Sequence, residues 1–87
     1  MYEWDENKNQ ENIEKHGVSF EVAKEAFHDQ NKIMLDDELH SIEEKRLFCI
    51  GETSQGILTV RFVIRDGKIR IFGAGRWREG RKKYENR

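Results

Sequence analysis

The stretch Ile57-Leu58-Thr59-Val60-Arg61-Phe62-Val63-Ile64-Arg65-Asp66-Gly67-Lys68-Ile69-Arg70-Ile71-Phe72 consists of two runs rich in β-branched and apolar residues, separated by Asp-Gly. Asp-Gly between such runs is the signature of a two-residue type I′ hairpin, because both central residues of that turn need positive φ. The turn pairs 65 with 68, 64 with 69, 63 with 70, 62 with 71 and 61 with 72. Side chains on a strand alternate between faces, so Leu58, Val60, Phe62, Ile64, Ile69 and Ile71 share one side. Arg61, Val63, Arg65, Lys68, Arg70 and Phe72 share the other. The first side is a core face and the second is cationic.

Upstream, Arg46 to Gly51 is a further strand joined through a Ser54-Gln55-Gly56 turn, which makes an antiparallel meander with the hairpin. Tyr2-Glu3-Trp4 reads as an edge strand and Lys32 to Leu35 as another short strand, with Asp36 to Glu44 an acidic loop. Between them lie two helical segments. Asp5 is placed to cap a helix from Glu6 to His16 that Gly17 ends, with Ile13 as its main apolar anchor. Ser19 caps a second helix whose stripe is Val22, Ala23, Ala26 and Phe27. Arg78 to Tyr84 is a basic helical segment interrupted by Gly80. The expected architecture is α+β: a single domain over residues 1–87, with N-terminal helices packed on an antiparallel sheet and a short helix at the C-terminal end. A chain of 87 residues buries only roughly 60 to 65% of its unfolded surface and has no core to divide.

The net charge of −1 conceals a strong asymmetry. Residues 61–87 hold ten Lys or Arg against three acids, whereas residues 1–60 hold six against fourteen. A basic end of this kind suits a polyanion, and the acidic part discourages indiscriminate binding. Met1-Tyr2-Glu3-Trp4-Asp5 has neither a basic start nor an apolar run, and no stretch is long and apolar enough to span a bilayer, so the expected compartment is the cytoplasm. Cys49 is the sole cysteine and sits among Leu47, Phe48 and Ile50, which reads as a buried structural thiol. His16, His28 and His40 lack metal-ligand spacing, and Gly73-Ala74-Gly75 fits no nucleotide-binding loop, so no metal or cofactor is expected.

Arg61, Arg65, Lys68 and Arg70 repel one another if they share a face, and need either acidic neighbours or an incoming anion. Guanidinium forks bind phosphate in a bidentate manner, and Phe72 and Trp77 offer rings on which unpaired bases stack, the usual route to single-stranded RNA. Arg76, Arg78, Arg81, Lys82, Lys83 and Arg87 carry the basic character onward, interleaved with Trp77 and Tyr84. The alternative is that the arginines pair internally with Glu43, Glu44 or Glu52.

Tyr2-Glu3-Trp4-Asp5, Lys8, Asn12, Lys15-His16-Gly17-Val18-Ser19-Phe20-Glu21, His40-Ser41, Arg46, Ile50-Gly51 and Ile69-Arg70-Ile71 together resemble the BrnT family of bacterial type II toxins nearly from end to end. The resemblance implies a RelE-like fold, endoribonuclease activity that arrests translation and growth, and a DNA-binding BrnA-type antitoxin of the ribbon-helix-helix class in a toxin–antitoxin hetero-oligomer. Members commonly carry Ser-Ala-Arg after the last strand and an acid four residues before a tyrosine. Here Gly73-Ala74-Gly75 precedes Arg76, and Gly80 stands four before Tyr84, so Arg76 and the displaced Glu79 are the residues to take over those roles.

RNA carries its own nucleophile, so a metal-independent ribonuclease needs a base for the 2′-hydroxyl, positive charge on the crowded phosphate, and an acid for the leaving oxygen. Candidates for the charge are Arg61, Arg70 and Arg76, with Glu79 as base or orienter and Tyr84 as acid; His16 and His40 are alternates, since imidazole changes charge in the neutral range. Arg65, Lys68, Phe72, Trp77, Arg78, Arg81 and Lys82 are the expected RNA-binding residues. Lys15-His16-Gly17 reads either as a helix-ending motif or as part of the catalytic set. Two other functions use the same basic face: a non-catalytic module that binds nucleic acid or antitoxin, and a structural subunit of the toxin–antitoxin complex.

Overall fold

A computed structural model describes residues 1–86; Arg87, the last cation of the basic tail, lies outside the described residues. The hairpin forms as expected. Asp66 and Gly67 take φ of 53° and 74°, both positive as a type I′ turn requires, and pairs 65/68, 64/69, 63/70 and 62/71 are made. The strands concerned are β4 (Gly56–Arg65) and β5 (Lys68–Gly75). Beyond Phe62 the register departs from expectation, because Phe72 is an extra residue on β5 and Arg61 pairs with Gly73 instead. This bulge carries β5 three residues past Phe72, to Gly75, and leaves Phe72 and Gly73 together on the Arg61 side of the sheet.

The full sheet has five strands in the order β1-β5-β4-β3-β2. Besides the hairpin these are β1 (Tyr2–Glu3), β2 (Ile33–Asp36) and β3 (Leu47–Thr53). β2, β3, β4 and β5 are successively antiparallel, but β1 lies parallel to β5, with Tyr2 opposite Ile69 and Glu3 opposite Arg70. The sheet is therefore mixed and not purely antiparallel. A parallel partner needs a long connection, and nearly the whole chain supplies it.

The core face carries Cys49, Leu58, Val60, Phe62, Ile71 and Ala74, all 1% exposed or less, under Val18, Phe20, Ala23, Ala26 and Phe27. Phe27 meets Phe62 edge-on with ring centroids 5.0 Å apart. Ile64, expected in this core, is instead 59% exposed, since it lies beside the turn and beyond the cover of the helices. Gly51 marks a close approach of the helical layer to the sheet: a Cβ there would lie 2.5 Å from the carbonyl oxygen of Ala26. The second helical segment caps on Ser19 as expected, whose Oγ accepts from Val22 N at 3.1 Å, but only Phe20–Ala23 is α-helical (α2), and Lys24–His28 tightens to a 3-10 turn.

The first helix, α1 (Glu6–His16), starts at Asp5, which accepts from Asn7 N at 2.8 Å, and ends at Gly17 with φ of 68°. Its anchor is not Ile13, which is 37% exposed, but two buried asparagines. Asn9 Oδ1 accepts from Phe20 N at 2.8 Å. Asn12 Nδ2 donates to the carbonyls of Val18 and Ala74, each at 2.9 Å, while its Oδ1 accepts from Ala74 N at 3.2 Å. One amide thus joins α1, the loop before α2 and the free stretch of β5. A third helix, α3 (Arg78–Glu85), covers the opposite sheet face. It runs unbroken through Gly80, whose missing side chain lets the helix backbone rest against Thr59. No described helix is long and apolar enough to cross a membrane.

Asn12→Ala is expected to cost about 3 kcal/mol, because it strands buried backbone groups of Val18 and Ala74. Thermal denaturation should show a fall of more than about 10 °C. Cys49 is buried, as anticipated, and burial pushes its thiol up to about 12 from an ordinary 9.0. Below pH 9 the thiol is protonated whether folded or unfolded. Between pH 9 and about 12 only the unfolded chain ionises, so stability falls with rising pH. Urea titrations at pH 8 and pH 10 should show a steeper alkaline loss for the wild type than for Cys49→Ala.

Candidate functional site

Basic side chains from three parts of the chain meet where α1 lies beside the meander. Lys8 and, two turns further on, Lys15 and His16 come from α1, Arg46 from the residue before β3, and Arg61, Arg65 and Arg70 from the hairpin; together they line an open groove of about 530 Å³. Asp5, Glu11 and Glu44 stand among them, so the groove is polar but not uniformly positive.

Internal pairing accounts for some of these arginines. Arg65 is engaged by Glu44 in a two-pronged contact, Nη2 to Oε1 at 2.7 Å and Nε to Oε2 at 3.1 Å. The guanidinium beside it holds the Glu44 carboxyl below its usual range, and Arg65 is raised in turn. Arg70 stands 3.4 Å from Glu3 on the neighbouring β1. Glu43 and Glu52 pair with no arginine among the described residues.

Arg61 differs from both. It makes no ion pair among the described residues, and its Nε is buried without a hydrogen-bond partner. Two rings flank its guanidinium, Phe72 at 5.4 Å and Trp77 at 5.6 Å, while Arg46 stacks on the same Phe72 ring at 5.0 Å. Such packing orients a guanidinium without neutralising it.

The glycines after Phe72 make this arrangement possible. A Cβ at Gly73 would lie 2.8 Å from Arg61 Nη2 and 2.9 Å from Nε, and one at Gly75 would lie 3.1 Å from the Trp77 ring. Gly73-Ala74-Gly75 therefore points its two bare positions at Arg61 and Trp77 and buries its one methyl in the core.

Arg61 also lines a second cavity of about 600 Å³ on the side of α3, whose walls include Leu35, Phe48, Ile50 and Trp77. Asp37, His40, Glu79 and Lys83 add polar groups to these walls. Asp37 is 7% exposed, and both of its carboxylate oxygens face His40 Nδ1, at 3.1 and 3.0 Å.

Among the residues singled out from the sequence, Arg61, Arg65, Arg70 and Phe72 thus meet in the groove, and Trp77 and Glu79 meet Arg61 in the second cavity. Of the alternates, His16 lines the groove and His40 the second cavity, while the remaining residues lie elsewhere. Arg76 donates to the carbonyl of His16 at 3.3 Å, and Tyr84 donates its hydroxyl to Asp29, so these two brace α1 and α3; neither lines a cavity that contains Arg61. Lys68 is exposed at the hairpin turn, Arg78 is exposed at the start of α3, Arg81 pairs with Glu85 at 3.0 Å, and Lys82 lines a shallow depression against Ile33 and Leu35. No group of three or more His, Cys, Asp or Glu able to hold a metal ion occurs among the described residues.

Lys8 was not among the candidate site residues and Lys15 entered only through the Lys15-His16-Gly17 motif, although their spacing of seven places them on one helical face. Arg46 and Asp37 went unassigned because their roles depend on strand order, which one hairpin does not determine.

A groove lined by basic side chains and the Phe72 ring, with the Arg61 guanidinium paired to no carboxylate among the described residues, is a surface suited to an anion. Residues 4–80 match the BrnT family, ribonuclease toxins of type II toxin–antitoxin systems, and the chain belongs to that family. It is accordingly a ribonuclease toxin whose system includes an antitoxin. No individually curated protein matches the chain at a significant level.

The glycines permit a test that separates fold from function. Gly51→Ala forces backbone apart and should cost about 1 to 3 kcal/mol. Gly73→Ala displaces only the end of Arg61; it should leave the melting temperature within a few degrees of wild type and lower RNA cleavage at least tenfold.

Proposed function

We propose that this chain is a metal-independent endoribonuclease with a RelE-like arrangement, in which Arg61 holds the phosphate being cut. The observation that carries this reading is the Arg61 guanidinium, unneutralised, ring-packed and shared by both cavities. In RNA the 2′-oxygen attacks the adjacent phosphorus, charge builds on the non-bridging oxygens, and a fixed guanidinium stabilises that charge more in the transition state than in the substrate. Arg46 and Arg70 extend the positive surface along the strand being cut, and Phe72 and Trp77 support its bases. Arg65, held by Glu44, joins when phosphate displaces the carboxylate. Proton transfer falls to groups beside Arg61, with Glu79 and His40 in one cavity and His16 in the other. Arg76 and Tyr84 contribute by bracing the helices that frame the site.

The same cationic surface fits an acidic segment of an antitoxin. A BrnA-type ribbon-helix-helix protein that covers the groove would keep the toxin silent in the cytoplasm, and its release would permit RNA cutting, translational arrest and growth arrest.

Purified protein incubated with single-stranded RNA and a chelator should cleave it and leave 2′,3′-cyclic phosphate ends. Arg61→Ala should lower the rate about 100- to 1000-fold while the protein stays folded by circular dichroism. Intact RNA bound by wild type at stoichiometric protein would instead favour the non-catalytic module.

A further inference from the structure

His40 lies outside the cationic groove, yet the loop that carries it is built to hold it on the wall of a cavity that Arg61 also lines. Residues 37–46 close on themselves through Ser41. Its Oγ donates to the Asp37 carbonyl at 2.6 Å and accepts from Arg46 N at 2.9 Å, while Asp37 N donates to the Arg46 carbonyl at 2.8 Å. One clasp therefore fixes Asp37, His40 and Arg46 relative to one another.

The cavities show where this loop points. Arg61 lines the groove and the apolar cavity, and Arg46 lines the groove and a third cavity of about 370 Å³. His40 lines the apolar cavity and that third one. Each pair of cavities shares one of these three residues, so the imidazole lines one cavity with the Arg61 guanidinium and another with that of Arg46.

Its orientation is set from behind. Asp37 is buried, with its side chain 8% exposed, and it receives His40 Nδ1 on both oxygens, whereas the His40 side chain is 56% exposed. A carboxylate on Nδ1 selects the tautomer that carries its proton there and leaves the Nε2 lone pair facing the cavities. Other charged groups face the imidazole from every side: Asp36 on β2, Arg61 on β4, and Glu79 and Lys83 on α3. Glu43, Glu44 and Arg46 face it across the third cavity.

The geometry points to His40 as the general base of RNA cleavage, with Asp37 as its positioning residue; the inference rests on the ribonuclease reading above. Nε2 takes the proton of the ribose 2′-hydroxyl. The 2′-oxygen forms a bond to phosphorus as the bond from phosphorus to the 5′-oxygen breaks. The leaving 5′-oxygen takes a proton from water, and the resulting hydroxide is neutralised by the imidazolium, so no proton is gained or lost overall. The products are a 2′,3′-cyclic phosphate and a 5′-hydroxyl.

A short mixed-sequence single-stranded RNA, read for single-turnover cleavage from pH 5 to 9, tests this. His40→Ala should lower the rate about 100- to 10,000-fold, leave RNA affinity within threefold, and abolish the rise in rate on the acid side of the pH profile. His40→Gly should regain cleavage when free imidazole is added. Asp37→Asn should lower the rate at least 100-fold with unchanged RNA affinity; Asp37→Glu, which keeps a carboxylate, should recover part of it and guards against loss of folding as the cause. Cleavage by His40→Ala within tenfold of wild type, or a retained acid limb, overturns the assignment. If Arg61→Ala is inactive in that same experiment, the ribonuclease reading stands and only the base is wrong. A wild type that cuts no RNA overturns both.

Discussion

The side chain of Asn12 connects what would otherwise be three separate pieces. α1 is polar along most of its length and has little apolar surface with which to dock. Its hold on the rest of the chain comes from directed bonds to Val18 and Ala74 backbone, made in a place where water cannot substitute. Beyond residues 69 and 70, β5 has no strand on its outer side, so its polar backbone at Ala74 would lack partners without this amide. The groove wall therefore exists because a helix, not another strand, completes the sheet edge.

A second constraint runs across the other face. Adjacent arginines on a sheet are unfavourable, and the chain resolves this differently at each one. Glu44 neutralises Arg65, Glu3 stands near Arg70, and Arg61 is left to aromatic rings and bare backbone. The result is a graded surface, with firmly paired charge at the rim and unpaired charge at the centre. Binding of a polyanion at such a surface exchanges internal pairs for external ones at the edge and gains new contacts at the middle.

Much of the architecture was legible in the sequence because local chemistry determined it. Asp66-Gly67 set the turn, Asp5, Ser19 and Gly17 set helix ends, and period-two alternation separated the core face from the cationic one. Long-range geometry was not legible. The parallel pairing of Tyr2 with Ile69 joins segments that carry no mutual signal, and the bulge at Phe72 follows from how Arg61 packs on Gly73, not from strand propensity. The anchor of α1 was misassigned to Ile13 because an apolar residue on a polar helix is the ordinary sign of burial, whereas here two amides are buried. Of the residues picked out for chemistry, those on the hairpin gather together apart from Lys68 at the turn, since one turn sets their relation; those after Trp77 scatter apart from Glu79, since α3 had no such reference. The Asp37–His40 pair lay in an acidic loop whose closure through Ser41 has no periodic signature.

The pairing of residues 2 and 3 with 69 and 70 also bears on how the molecule is made. The strand at residues 2 and 3 emerges from the ribosome with no partner, and the strand it must join follows more than sixty residues later. Contacts so distant in sequence form late. The groove, whose walls come from α1 and from that same later strand, cannot assemble before β5 has been made.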